Sequence, residues 1–257
     1  MMSDDADRAA VKPEHPATPP RPWLRTALRW VAGLAIYAVV LIVVVALVRT
    51  FLVQPFMVPS GSMQNTLQVD DTILVWKPAQ PQRGEIVVFR NDLNWSLPAS
   101  PPASSWRQFL SWVGILAPIH DEYLVKRLIG LPGDHVTCCD ASGRITVNGQ
   151  PLDESLYLTF VNPTLALTPF NVIVPQGRIL VLGDHRDTSA DSRAHMCSGT
   201  TPTPDLAFPP ISSIQGTAFA IVSPRSRMEL LNIPSTFANV PASTAMAPPP
   251  DTRQWTC

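Results

Sequence analysis

The residues able to do covalent chemistry gather in three short segments of a 257-residue chain. In the first, Gln54 to Leu67 (QPFMVPSGSMQNTL), Ser60 and Ser62 flank Gly61, and Pro59 fixes the chain entering them. Such a turn can expose a hydroxyl and aim backbone N–H groups at one point, as an oxyanion site requires. An ordinary Ser/Gly loop has the same composition. In the second, Tyr123 to Asp134 (YLVKRLIGLPGD), Lys126 stands inside an apolar run that reads as a strand. Alternation puts Leu124, Lys126 and Leu128 on one face, where desolvation would lower the amine pKa and make a neutral general base. A lysine that marks a strand edge, or extends its amine to water, is the competing reading. The third segment, Gly183 to Arg193 (GDHRDTSADSR), mixes charges of both signs with two serines, as a hydrogen-bonded loop bracing a site would; a solvated loop would look similar.

Other chemistries lack their usual entry points. The sequence contains no CxxC, HExxH, GxxxxGK[ST] or GxGxxG, which removes the common zinc, P-loop and dinucleotide motifs. No metal site and no cofactor are expected. Apolar residues make up 46% of the chain and charged ones 15%, with a net charge of −1. That balance excludes a disordered chain and argues against an electrostatic nucleic-acid binder.

What must hold the three segments begins with an anchor. Trp30 to Val48 (WVAGLAIYAVVLIVVVALV) has no charge and no polar face. As a helix it would measure about 28 Å, close to the thickness of a bilayer's hydrocarbon core. Arg8, Lys12, Arg21, Arg25 and Arg29 precede it and only Arg49 follows closely. The positive-inside bias therefore puts the N-terminus in the cytoplasm and the remainder outside. The exported part carries 13 Lys and Arg against 16 Asp and Glu, and holds Cys138, Cys139, Cys197 and Cys257. Disulfides are possible there, with three full pairings open. Adjacent Cys138 and Cys139 rarely bond each other, so a link from this pair to Cys197 or Cys257 is expected.

Residues 1–22 read as a disordered cytoplasmic tail, 23–52 as the anchor, 53–232 as the catalytic domain and 233–257 as a Pro-, Ala- and Thr-rich tail that is loose unless Cys257 ties it down. Within the domain, short strands are expected at Thr72 to Trp76, Glu85 to Arg90, Tyr123 to Ile129, His135 to Cys138, Arg144 to Val147, Asn171 to Val174, Ile179 to Leu182 and Ala218 to Val222. Asn148-Gly149 reads as a tight turn. The fold class is mainly β: one transmembrane helix, then a folded-sheet or barrel-like domain with insertions at about 91–121 and 150–172. Only Ser105 to Leu116 has helical rhythm, gathering Trp106, Phe109, Leu110, Trp112, Val113 and Leu116 on one side. That helix would either pack on the β domain or lie in the lipid interface.

Taken together, the segments resemble the signature boxes of bacterial type I signal peptidase, a family of membrane-anchored Ser/Lys proteases. Pro59-Ser60-Gly61-Ser62-Met63 matches the P-S-G-S-M box, and Lys126 to Asp134 matches K-R-x-x-G-L-P-G-D. Arg83 to Phe89 resembles R-G-D-I-V-V-F, with Glu85 for Asp. Gly183 to Arg193 matches G-D-N-R-D-N-S-x-D-S-R, except for His185 and Thr188 where Asn is frequent. Asp70 stands where the family usually has Gly, and Asn65 replaces a frequent Pro. The likeness covers roughly residues 30–90, 122–148 and 178–222, about half the chain.

The resemblance implies Ser62 as nucleophile and Lys126 as general base. It implies Ser60 as an oxyanion donor beside the Ser62 N–H, Ser189 as the group orienting the lysine amine, and Asp191–Arg193 as a structural ion pair. Phe56, Val58, Met63, Leu67, Ile73, Val88, Leu124 and Val125 would line shallow apolar pockets for the substrate's −1 and −3 side chains. The implied activity is removal of signal peptides from exported preproteins after Ala-x-Ala-like sequences, at the outer face of the cytoplasmic membrane. The partners would be preproteins and the lipid bilayer, with no nucleic acid, and the enzyme would be monomeric. A maturation peptidase of pilus or plasmid-transfer type would share the dyad, and a membrane-tethered scaffold would share only the fold. A histidine-based protease would need His15, His120, His135, His185 or His195; His15 lies on the wrong side, His120 and His195 lack motif context, and His135 and His185 fall at strand or variable positions.

Overall fold

The computed structural model describes residues 22–78, 80–95, 123–159 and 169–249. They fall into two units, one up to Val45 and the other from Ala46 onward. The helix α1 (Pro22–Phe51) contains a stretch, Thr26–Phe51, long and apolar enough to cross a membrane. Its apolar residues are exposed all round, which in water would be unfavourable and in lipid is not.

The strands are β1 (Val53–Met57), β2 (Thr72–Trp76), β3 (Ile86–Arg90), β4 (Tyr123–Gly130), β5 (His135–Cys138), β6 (Thr146–Val147) and β7 (Gln150–Pro151). They continue as β8 (Phe170–Ile173), β9 (Leu180–Leu182), β10 (Cys197–Ser198), β11 (Thr201–Pro202), β12 (Ile214–Ser223) and β13 (Glu229–Leu230). One antiparallel sheet runs β1-β2-β12-β3-β4-β9, with β13 paired to β12. A second runs β7-β6-β5-β8, and β10-β11 forms a separate ribbon. The fold is mainly β as expected. Neither sheet closes among the described residues, so the barrel-like alternative gives way to open, folded sheets.

β1 is absent from the expected strands. It lies at a sheet edge, where Pro55 removes no needed N–H donor, so a proline that argues against a central strand is tolerated. β6 and β7 pair around Asn148-Gly149, both at positive φ (52° and 81°), the conformation that suits a two-residue hairpin.

Two other expectations are corrected. Residues 233–249 are not loose: Phe237 is buried in the core of the second sheet, Asn148 Nδ2 donates to the Pro241 carbonyl, and Ser243 Oγ bonds the Gly133 carbonyl. A buried aromatic of this size contributes about 1.5–3 kcal/mol, enough to tie down a Pro-rich strap. Gly84, at φ +88°, leaves room for it, since a Cβ there would collide with the Phe237 ring. Cys138 and Cys139 bond each other, and their cis peptide brings the Cα atoms to 3.0 Å, nearer than a trans peptide allows. The expected link from this pair to Cys197 or Cys257 is not formed; Cys197 is itself disulfide-bonded, and Cys257 lies outside the described residues. The expected helix at Ser105 to Leu116 lies outside them too.

Candidate active site

β4 places Lys126 beside Arg127, and both are buried, with 3% and 2% of their surface exposed. Successive strand residues point to opposite faces, so burying both requires cover on both sides of β4. Leu124 and Leu128 pack with Val87, Phe89, Ile179 and Val181. Val125 packs with Phe56, Val58, Met63, Leu67, Ile73 and Val88 in a separate apolar cluster. Seven of the eight expected pocket residues therefore share one cluster, and Leu124 does not. Adjacent positions on a strand cannot line the same wall.

Ser62 is delivered by the turn that follows β1. Ser60 is extended (φ −141°, ψ 159°), then Gly61–Met63 form a 3₁₀ turn in which the Gln64 N–H donates to the Gly61 carbonyl at 3.0 Å. The Ser60 hydroxyl caps no backbone N–H and lies 3.3 Å from Ser62 Oγ. Lys126 Nζ donates to Ser62 Oγ at 2.5 Å. Burial pushes the Lys126 pKa down to about 8; the Asp191 and Asp184 carboxylates oppose the fall, and Arg193 adds to it. The amine is thus titratable near neutral pH and touches a hydroxyl, the arrangement an activated nucleophile requires.

The third segment wraps around this pair. The Gly183 N–H donates to Asp191 Oδ2 at 3.0 Å, and Asp191 pairs with Arg193 at 2.8 Å. The Arg193 contact holds the Asp191 carboxyl below the usual range although burial pushes it up. Ser189 Oγ is buried and has no hydrogen-bond partner among the described residues; the expected bond to the Lys126 amine is not made. Its hydroxyl faces Gly183 instead, where a Cβ would collide with Ser189 and the Ser62 carbonyl. Residue 183 must be glycine for this approach.

Several neighbours of the site escaped the sequence reading. Asp184 accepts from Arg127 Nε and Nη2 at 2.8 and 2.6 Å, and from Thr66 Oγ1 at 2.6 Å. Arg186 pairs with Glu154, which also accepts from the Tyr157 hydroxyl at 2.7 Å, and the Tyr157 ring lies 4.3 Å from the Arg127 guanidinium carbon. The Arg127 signal was available, as a second cation inside an apolar run. Glu154 and Tyr157 gave none, because they sit in a stretch with no motif.

A family model described as signal peptidase, peptidase S26, matches residues 28–223. The chain belongs to this family. The match runs through the two stretches that the signature boxes leave out. The signal peptidase I of Mycobacterium tuberculosis is 37% identical over 246 residues, 87% of this chain and 82% of its own. The probable signal peptidase I of Mycobacterium leprae is 34% identical over 256 residues, covering 88% and 84%. A solved signal peptidase I from Enterococcus faecalis is 23% identical, with a TM-score of 0.32, covering 54% of this chain and 97% of that one.

Two departures from the family boxes acquire a physical meaning. Asp70 has φ +69°, a left-handed conformation that glycine favours and that Asp and Asn tolerate best among other residues. Asp70 can therefore replace glycine without refolding the loop. Asn65, at φ +86°, holds a conformation closed to proline, so the turn beside Ser62 could not take one at this position without changing its path.

Proposed function

We propose that this type I signal peptidase works as a serine endopeptidase with Ser62 as nucleophile and Lys126 as general base. The observation that carries the reading is the buried 2.5 Å contact between Nζ and Oγ, with the amine pKa down to about 8. The neutral amine takes the Ser62 proton as Oγ attacks the scissile carbonyl, then gives it to the departing amine. A water deprotonated by the same amine hydrolyses the ester. Ser60 Oγ–H and the Ser62 N–H donate to the oxyanion. Phe56, Val58, Met63, Leu67, Ile73, Val88 and Val125, which share one apolar cluster, supply the wall against which small −1 and −3 side chains rest. Asp191 and Arg193 hold the loop that carries Ser189. The five cations before the uncharged run that starts at Trp30 favour a cytoplasmic N-terminus and a catalytic domain on the outer face of the cytoplasmic membrane, where exported preproteins emerge.

Full-length protein in detergent, incubated with a preprotein, should release a product whose new N-terminus follows an Ala-x-Ala-like sequence, as read by mass spectrometry. The profile of kcat/KM should rise with pH, because only the deprotonated amine accepts the proton, and reach half its plateau near pH 8. A flat or falling profile between pH 6 and 9 would exclude lysine as the base. Ser60→Ala should lower kcat by about 10²–10³-fold with KM little changed, as expected for loss of one oxyanion donor.

A further inference from the structure

The oxyanion donor proposed above, the Ser62 N–H, belongs to the same peptide unit as the Gly61 carbonyl. A trans peptide is planar, so the N–H points opposite to the C=O, and whatever fixes the carbonyl direction fixes the N–H direction. Two donors hold that carbonyl. One is the Gln64 N–H at 3.0 Å, part of the 3₁₀ turn itself. The other is the His185 ring, whose Nδ1 lies 3.3 Å from Gly61 O. The His185 backbone N–H also donates to the Ser62 carbonyl at 3.1 Å, so one residue holds the peptide on each side of the nucleophile.

We infer that His185 is a positioning residue for the oxyanion site: its imidazole Nδ1–H fixes the Gly61–Ser62 peptide so that the Ser62 N–H faces the reacting carbonyl. A carbonyl oxygen only accepts, so Nδ1 must carry the hydrogen. The ring is buried and its other nitrogen, Nε2, sits 3.1 Å from Asp187 Oδ1. The Asp187 carboxylate thus borders the ring edge away from Gly61. A hydrogen bond to the carbonyl also polarises the amide and strengthens its N–H as a donor. His185 touches neither substrate nor the reacting atoms. It acts through the backbone. The inference rests on the dyad reading.

The test compares amides that place a donor differently. In His185→Asn the side-chain amide nitrogen occupies the place of Nδ1 and can donate to Gly61. In His185→Gln it reaches toward Asp187 instead, and His185→Leu has no donor. With a preprotein as substrate, Asn should keep kcat within about threefold. Gln and Leu should lose at least about tenfold in kcat with KM within twofold, a smaller loss than the roughly 10²–10³-fold for deleting an oxyanion donor outright. Thermal unfolding of Asn and Gln, two buried amides of similar character, should coincide within a few degrees. Equal kcat for Asn and Gln, or a loss that appears only in KM, overturns the inference. Cleavage by Lys126→Met would instead overturn the dyad reading, so the two failures are distinguishable.

Discussion

Lys126→Met should cleave no preprotein at any pH, and should nevertheless be harder to unfold than the parent at neutral pH. The activity loss follows from the contact of Nζ with Ser62 Oγ, since methionine cannot accept the serine proton. Members of the proposed dyad would act as a unit, so the single substitution should cost about 10⁴-fold or more, and adding Ser62→Ala should cost little further. Lys126→Arg should fail as well, because a guanidinium stays protonated. The stability gain follows from the same burial that makes the lysine useful. Its pKa is about 8 in the fold against an ordinary 10.5, so the folded state binds this proton more weakly than the unfolded chain does. Folding below pH 8 therefore carries the cost of a buried ammonium. Each pKa unit corresponds to about 1.4 kcal/mol, which sets that cost at about 3 kcal/mol, and losing the Ser62 contact returns about 1 kcal/mol.

A net gain of about 2 kcal/mol is expected for the methionine variant at pH 7. The sign has a pH signature. Between pH 8 and 10.5 the unfolded chain is protonated at this site and the folded one is not, so parent stability rises with pH through that window. The advantage of methionine should shrink over the same interval. Urea unfolding of both proteins in detergent at pH 7 and pH 10, followed by tryptophan fluorescence, measures the difference. A methionine variant less stable than the parent at pH 7 would mean that the lysine is not desolvated as described.

The parts of the molecule legible in sequence are those where short-range pattern and function coincide. β2, β3, β4, β5 and β9 were visible as β-branched or apolar runs between Gly and Pro. Ser62 and Lys126 were visible because a Ser-Gly-Ser turn and a cation within an apolar strand are both unusual. β1 was hidden by Pro55, whose tolerance depends on lying at a sheet edge, a property of the assembled sheet. Leu124 and Val125 fall in different apolar clusters because strand alternation sends adjacent residues to opposite faces, a division that position-by-position resemblance does not register. Residues 233–249 were misread because composition cannot show that Phe237 has a cavity to fill beside Gly84. Glu154 and Tyr157 reach the site only after a long excursion through the second sheet, and nothing local marks them.

Arg127 and Asp184 should prove the most sensitive positions for stability, more so than any single apolar residue of the site. Both are almost entirely shielded from water, and their bidentate contact at 2.8 and 2.6 Å joins β4 to the loop after β9. Arg127 also donates to the Gly84 carbonyl at 2.7 Å, and Asp184 also accepts from Thr66. Removing one partner leaves the other charge buried without compensation, a loss of about 3–5 kcal/mol. Arg127→Met and Asp184→Leu should each unfold at much lower urea concentration than the parent. The double variant should recover most of the loss, because two apolar side chains of similar volume replace the pair without a stranded charge. Asp184→Asn separates charge from shape. It keeps the volume and a hydrogen-bonding oxygen but removes an anion that raises the Lys126 pKa, so the rise of kcat/KM should move to lower pH than in the parent. Equal urea midpoints for the single and double variants would show that the ion pair does not join these elements. A profile shifted to higher pH in Asp184→Asn would show that the carboxylate does not act on the lysine.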